Sequence, residues 1–383
     1  MATIKRTKLN NTLRILREIW LARSISRVEI ARKLKLNKST VTHIINELID
    51  NRVVFQAEEG SSSPKGGRKP VFLNLNEKFG YVIGVELRPE AYTVVAVDLT
   101  GKIIFSKSEA MTINNQNFTD SFFEIMSRIS DGKDRTSIPL LGIGVGVSGI
   151  VNPVKGIINN SIPMCISNGY DFHLEIASKF DIPVFIENDA NCCSWGELVF
   201  HRTSNLKNFI FVLVEFQNIS EKPATHEITS VGLGIVINGK VHYGEDYLAG
   251  EFRSIFRSKS SRGQFSLSDD EINKLKTDKD ILMKFFKELS RNLALLVNTF
   301  NLNQIFLGGD IEKYRPEITE YLGNELRENW AYSYDMKREI LFSSLGDKSV
   351  AFGAAGIVLN RLFVDFDIDS DLNNKFLREL ISL

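Results

Sequence analysis

The stretch Phe185-Ile186-Glu187-Asn188-Asp189-Ala190-Asn191 constrains this chain more than any other. It completes an apolar run from Ile182 to Ile186 that reads as a buried strand. It leads into Cys192 to Phe200, which reads as a helix start. Two acids and two amides therefore stand where a strand runs out and a helix begins. In open α/β sheets, ligands bind at the carboxyl ends of strands. Asp and Asn offer acceptors and donors suited to a polyhydroxylated ligand, and an Asp there can also take a proton from a hydroxyl. On its own the stretch reads equally as a plain helix cap, since Asn and Asp are favoured caps.

A chain of 383 residues has room for two or three domains. Its net charge of zero hides an asymmetry. Residues 1–78 carry 16 Lys and Arg against 7 Asp and Glu, whereas the rest carries 31 against 40. A basic head on an acidic body implies that the head meets a polyanion. No apolar run is long enough to span a membrane, and the polar, basic start from Met1 to Asn10 has no secretory h-region. The three cysteines, Cys165, Cys192 and Cys193, have neither the number nor the spacing of a disulfide framework. A reduced, cytoplasmic protein is expected.

The head has helical spacing at Leu13, Leu16, Ile19 and Trp20. Ser26 with Glu29 makes a capping box for a second helix, and Leu36 to Ser39 turns into a third whose Val41, Ile44, Ile45, Leu48 and Ile49 are expected to face inward. The last two helices form a helix-turn-helix. Its outward face shows Lys38, Ser39, Thr40, Thr42, His43 and Asn46, side chains that bond base edges and phosphates. Val53–Gln56 and Val71–Leu75 then read as the strands of a wing. Gly66-Gly67-Arg68-Lys69-Pro70 lies at its return, where Arg68 and Lys69 suit a narrow minor groove. A solvated linker with incidental charges is the plainer reading of that return.

From Tyr81 the pattern changes to strands at Tyr81–Leu87, Thr93–Asp98 and Ile103–Ser106, a helix at Ser121–Ile129, and a glycine-ended strand at Leu140–Gly149. A long loop from Ile150 to Phe172 and a helix from Leu174 to Phe180 lead to the Phe185–Asn191 stretch. The order recurs in Phe209–Phe216, Val231–Asn238, the helical Asp280–Phe300, Gln304–Gly309 and the small-residue helix Val350–Leu359. Two strand-rich lobes with helices predict an actin-like ATPase (ribonuclease H-like) α/β fold behind the winged helix-turn-helix. The expected division is residues 1–78 for the head and 79–383 for the body, with lobes at about 79–190 and 191–383.

Gly67-Arg68-Lys69-Pro70, Gly144-Val145-Gly146-Val147-Ser148-Gly149, Glu187-Asn188-Asp189-Ala190-Asn191, Gly232-Leu233-Gly234, Ala249-Gly250-Glu251 and Leu307-Gly308-Gly309 occur in that order. With them the chain resembles the ROK family of repressors and sugar kinases, in its repressor branch. The resemblance implies that Asn188, Asp189 and Glu251 bind sugar hydroxyls, with Ser148 and Gly149 on the lining loop and Asn168-Gly169-Tyr170 on a second one. In the family's kinases the position of Asp189 is the catalytic base.

Three departures bear on function. The family's glycine-rich phosphate loop is replaced by Glu86-Leu87-Arg88-Pro89-Glu90, which lacks glycines and offers no N–H at Pro89. A polar insertion, Gln217–Ser230, precedes the second phosphate loop. The zinc-binding His of the family is replaced by Ser254, and no cysteine follows Cys193, so a tetrahedral N/S site cannot be assembled there. The expectation is a non-enzymatic regulator, without cofactor or metal. It would bind double-stranded operator DNA as a homodimer or homotetramer and respond to a carbohydrate-like effector. The alternatives are a sugar kinase with an appended head, which needs a phosphate cradle, and a DNA-binding protein with a degenerate cleft.

Overall fold

The computed structural model of the chain describes residues 2–59, 71–131, 137–201, 206–216, 229–259, 261, 263–334 and 336–364. The head opens with α1 (Ala2–Ala22), β1 (Ile25–Ser26), α2 (Arg27–Leu34) and α3 (Lys38–Asp50). Ser26 caps α2 and makes the reciprocal capping box with Glu29. Val41, Ile44, Ile45 and Leu48 of α3 are buried, as their spacing predicts. The wing is β2 (Val54–Glu59) and β3 (Val71–Leu75), an antiparallel pair. The two residues of β1 add to β3 as a third strand, a pairing too short to announce itself in sequence.

The first lobe contains β4 (Tyr81–Leu87), β5 (Ala91–Asp98), β6 (Ile103–Ala110), α4 (Phe118–Asp131), β7 (Leu140–Val147), β8 (Ile150–Asn152), β9 (Ile157–Asn160), β10 (Tyr170–Asp171), α5 (Phe172–Glu175), β11 (Val184–Asn188) and α6 (Asp189–Phe200). Its main sheet runs β11-β7-β4-β5-β6, with β11, β7 and β4 parallel. The expected long loop after Gly149 instead folds into the small sheet β10-β9-β8. The helix expected over 174–180 is a single turn followed by a 3-10 turn, with Asp171 capping the first.

The second lobe contains β12 (Phe209–Phe216), β13 (Thr229–Ile237), β14 (Lys240–Val241), α7 (Asp269–Asn273), α8 (Lys279–Phe300), β15 (Gln304–Gly309), α9 (Arg315–Glu328), β16 (Glu339–Phe342) and α10 (Ser349–Phe363). The sheet order β14-β13-β12-β15-β16 repeats that of the first lobe, so β12 corresponds to β4 and β13 to β5. The sequence reading missed α9 and β16. The many charges of α9 obscure its apolar face, and Pro316 sits in its first turn, where proline is tolerated.

Helix α10 joins the halves. Its small residues let it lie against the backbones of β4, β7 and α6. A Cβ added at Gly353 would come 1.7 Å from the carbonyl oxygen of Cys192, so only glycine permits that crossing. Both Cys192 and Cys193 are fully buried, the core role their helical position predicts. At its far end α10 reaches the head. Trp20 of α1 stacks on Phe363 with ring centroids 5.4 Å apart, and its indole N–H donates to the Leu99 carbonyl at 3.2 Å. Head and body therefore share one apolar cluster, from Leu13 and Leu75 to Val82 and Leu362. Among the described residues, no helix is long and apolar enough to cross a membrane.

Candidate functional site

Two regions hold the residues singled out from sequence, the outer face of α3 and the cleft between the lobes. On α3, Lys38, Ser39 and His43 are exposed and Thr40 and Thr42 are half-buried. His43 lies 3.2 Å from the Glu47 carboxylate one turn on, and Glu47 also pairs with Lys8 of α1 at 2.7 Å. Arg27 of α2 donates to the Asn46 side chain at 3.0 Å and fixes the angle between the two helices. The lysine, serine and threonines at the start of α3 keep their side-chain groups free. Arg68 and Lys69 lie outside the described residues.

In the cleft, β11 delivers Asn188 and Asp189 to the start of α6. The Asn188 carbonyl oxygen of the side chain accepts from the Asn191 amide at 3.1 Å, and its amide donates to the Gly149 carbonyl at 3.0 Å. Asn188 is thus a helix cap, as the plainer reading had it. One lone pair and one N–H remain for a ligand. Asp189 accepts from the Ala190 amide at 2.7 Å and from Ser148. Burial, followed by the nearby Glu215 carboxylate, pushes Asp189 up to about 7. Gly149 has φ +133, and a Cβ there would meet the Asn160 carbonyl at 2.3 Å, so the lining loop requires glycine at that turn. Glu251 faces the same cleft near Asp189. It is open to solvent on one side, but protein crowding from behind raises its carboxyl, with Arg253 pulling the other way. Gly250 before it has φ +100 and approaches the Leu233 carbonyl closely enough to exclude any side chain.

Beneath these residues lies a network that the sequence did not expose. Glu187 is buried and accepts from the Asn188 amide at 2.8 Å and the Asn191 side chain at 3.2 Å. Its second oxygen accepts from the Tyr243 hydroxyl at 2.7 Å, which in turn accepts from the Trp195 indole at 3.2 Å. Tyr243 belongs to the second lobe's loop toward Glu251, so this bond ties the two sides of the cleft. No motif marks Tyr243, and only its place after β14 could have suggested a role. Tyr170 does not hold its hydroxyl ready for a ligand; it is engaged with Thr119 at 2.6 Å.

The opposite side of the cleft is acidic. Glu86 ends β4 and Glu215 ends the corresponding strand β12. Burial pushes Glu86 up to about 8, and it raises Glu215 as well. Arg88 lies 3.5 Å from Glu86 and attracts both acids. One Glu86 oxygen is buried without a hydrogen-bond partner. The Arg88 amide closes the β4–β5 hairpin by donating to the Ala91 carbonyl at 2.9 Å, and Pro89 has no amide to give. A nucleotide phosphate placed here would meet two carboxylates and would find neither the Arg88 amide nor one at Pro89 available, so these residues make a poor phosphate cradle.

The zinc position fits no better. Ser254 accepts from the Asn292 amide at 3.1 Å and from the Phe256 backbone at 3.2 Å. Among the described residues no group of His, Cys, Asp and Glu is arranged to hold a metal. Arg253 is exposed, and no ion pair within 4 Å joins it to Glu251.

Residues 9–54 match the winged helix-turn-helix DNA-binding family and residues 82–255 match the ROK family. The chain carries a ROK domain behind a winged helix-turn-helix. It is 29% identical over 391 residues to a xylose repressor of Bacillus spizizenii, covering 94% of this chain and 96% of that one. A crystal structure described as a ROK family transcriptional regulator, homologous to the E. coli MLC protein, superposes with a TM-score of 0.72 at 17% identity, over 98% of this chain and all of that one. A ROK glucokinase from Streptomyces griseus, solved with glucose and AMPPNP, matches at a TM-score of 0.56 and 18% identity, over 73% of this chain and 99% of that one. The ROK domain thus has the two-lobed actin-like fold shared by regulators and kinases. The likeness to the kinase is one of fold.

Proposed function

We propose that the chain is a transcriptional repressor of carbohydrate-related genes, whose ROK body senses a sugar and makes no use of ATP. One observation carries this reading: a single cleft keeps the hydroxyl-binding strand end and closes the phosphate-side strand ends with carboxylates. The relatives named as xylose repressors support it and make D-xylose the first effector to test. In this reading residues 1–78 form the DNA-binding head and 79–383 the sensor. Helix α3 enters the major groove with Lys38, Ser39, Thr40, Thr42 and His43 against bases and phosphates, while Arg68 and Lys69 reach an adjacent groove. Asn188, Asp189 and Glu251 take the sugar hydroxyls, with Ser148 and Gly149 on the facing wall. A homodimer or homotetramer supplies paired heads, because two-fold pairs read half-sites about 34–36 Å apart or multiples of that.

Sugar binding would act on the N-terminus of α6. That helix packs on α10, whose end stacks on Trp20 of the head. The far end of α6 also nears the head: Arg23 and burial together lower the His201 imidazole, burial being the larger cause. An open pocket of about 620 Å³ lies on the head beside Thr100 of the body, lined by Trp20, Arg23, Phe55 and Lys78 among others. The test is fluorescence anisotropy of the full chain on duplexes that it selects from a random pool. Tight binding released by D-xylose without ATP is expected. Binding indifferent to every sugar, or Asp189-dependent phosphorylation of a sugar by ATP, overturns the reading.

A further inference from the structure

The segment that follows Glu251 is tied to β13 by the side-chain amide of Gln264. The Gln264 side chain bonds three backbone groups at once. Its oxygen accepts from the Val231 amide at 2.7 Å, and its nitrogen donates to the carbonyls of Val231 at 2.9 Å and Phe252 at 2.8 Å. Its own backbone carbonyl accepts from the Ser254 amide at 2.8 Å. These partners flank the two acids of the cleft. Phe252 follows Glu251 directly. Val231 precedes Gly232, whose missing side chain leaves space against Ala190 and, at 3.7 Å, against an Asp189 carboxylate oxygen. One side chain therefore spans from the strand beside Asp189 to the residue after Glu251.

Other bonds anchor the same segment from behind. Asn292 of α8 is buried and accepts from the Ile255 amide at 3.0 Å while donating to Ser254. Glu288, one turn earlier, accepts from the amide and hydroxyl of Ser266 at 2.8 and 2.5 Å. Arg257 donates to the carbonyls of Gly263 and Ser261, which closes the loop on itself. Phe265 next to Gln264 packs edge-on against Phe285 at 4.7 Å and near Phe252 at 5.6 Å, so the amide sits on a rigid base. Every polar atom of the Gln264 side chain is spent on the protein. Both N–H groups are used, and the side chain acts as a spacer between the two strands of backbone it joins.

We infer that Gln264 is a positioning residue that sets the separation of Asp189 and Glu251 through its three hydrogen bonds to Val231 and Phe252. The inference rests on the sugar-sensing reading for its ligand and on geometry alone for the link. Gln264→Met keeps length and removes all three bonds, and Gln264→Glu keeps only the acceptor. Each is expected to weaken D-xylose binding about tenfold or more in calorimetry of the full chain. Sugar-free DNA affinity should stay within about twofold for head contacts so far from the change. In a Glu251→Gln background, Gln264→Met should cost less than about threefold, because the position it secures is already impaired. An equal loss in both backgrounds means general damage and overturns the inference, as does no loss in either. Hydrogen exchange without sugar reads the link independently. In Gln264→Met, amides of 249–255 should lose protection while those of α10 and the head keep theirs. Unchanged exchange at 249–255 overturns the inference even if no sugar ever binds, whereas loss of protection with no sugar binding sinks only the sensing reading. Dialysis against EDTA should leave wild-type affinity and exchange unaltered, and stoichiometric zinc that restores Gln264→Met would overturn the metal-free assignment.

Discussion

Two strand ends in the first lobe, separated only by β7, have come to opposite uses. β11 ends at Asn188 and passes straight into α6. β4 ends at Leu87 and turns back through Arg88 and Pro89 into β5. Both ends place an acid in the cleft, and burial raises both, Asp189 to about 7 and Glu86 to about 8. The difference lies in the element that each strand runs into. A helix start supplies free amides and the positive end of the helix dipole, which hold Asn188 and Asp189 in place and leave them hydrogen-bonding capacity. The hairpin consumes the Arg88 amide, and Pro89 has none, so these two residues offer an anion no backbone amide. Direction of the strand alone does not make a site.

The largest expected effect is at the retained end. Asp189→Asn preserves shape and removes the charged acceptor, so D-xylose affinity should fall about 10–100-fold, the worth of roughly 1–3 kcal/mol for one lost charged bond. Thermal unfolding should change little. An unchanged calorimetric affinity would break the comparison, since both strand ends would then be idle.

The closed end should respond in stability. A carboxyl whose folded pKa is raised binds its proton more tightly when folded. Its stabilisation is complete below the unfolded value near 4.5 and is lost as pH rises through about 8. Glu86→Gln removes that loss. Relative to its effect at pH 5, it should raise stability at pH 8 by a few kcal/mol, at about 1.4 kcal/mol for each pH unit titrated between the unfolded and folded values. Differential scanning calorimetry at pH 5 and pH 8 checks this, and an equal effect at both would sharpen doubt about Glu86 as the titrating group.

Sugar affinity should itself depend on pH, in the opposite sense. If hydroxyls prefer the ionised Asp189, binding expels its proton and affinity rises as pH passes through about 7. A gain of roughly threefold to tenfold between pH 6 and 8 is expected for the wild type and none for Asp189→Asn. The smallest effect belongs to Arg253. Exposed and unpaired with Glu251, it should alter neutral-sugar affinity by less than about threefold when changed to Ala. A larger rise would show that it closes the cleft in solution.

Much of this was legible in the chain. Apolar periodicity located α1, α3 and α8, and the capping box placed the start of α2. The run from Phe185 to Asn191 announced a strand ending at a helix, because cap chemistry and burial are local. The Glu86–Glu90 segment showed two acids and a proline at the end of β4, since glycine and N–H content are read from residue identity. Less visible were β1 and β16, whose pairing depends on partners far away in sequence, and the small sheet formed by β8, β9 and β10, where no periodicity survives in strands of two to four residues.

By its own composition and order the sequence determined a basic helix-turn-helix head, a duplicated α/β body, and the acids and amides of one cleft. These arise from periodicity, caps and side-chain chemistry, which act over a few residues. Only the tertiary structure decided that Glu86 faces Glu215, that Tyr243 reaches Glu187, and that Gln264 links the strand beside Asp189 to the loop of Glu251. Those contacts join residues from 12 to more than 100 positions apart. Each is fixed by how the two sheets and α10 pack, and none by any pattern along the chain.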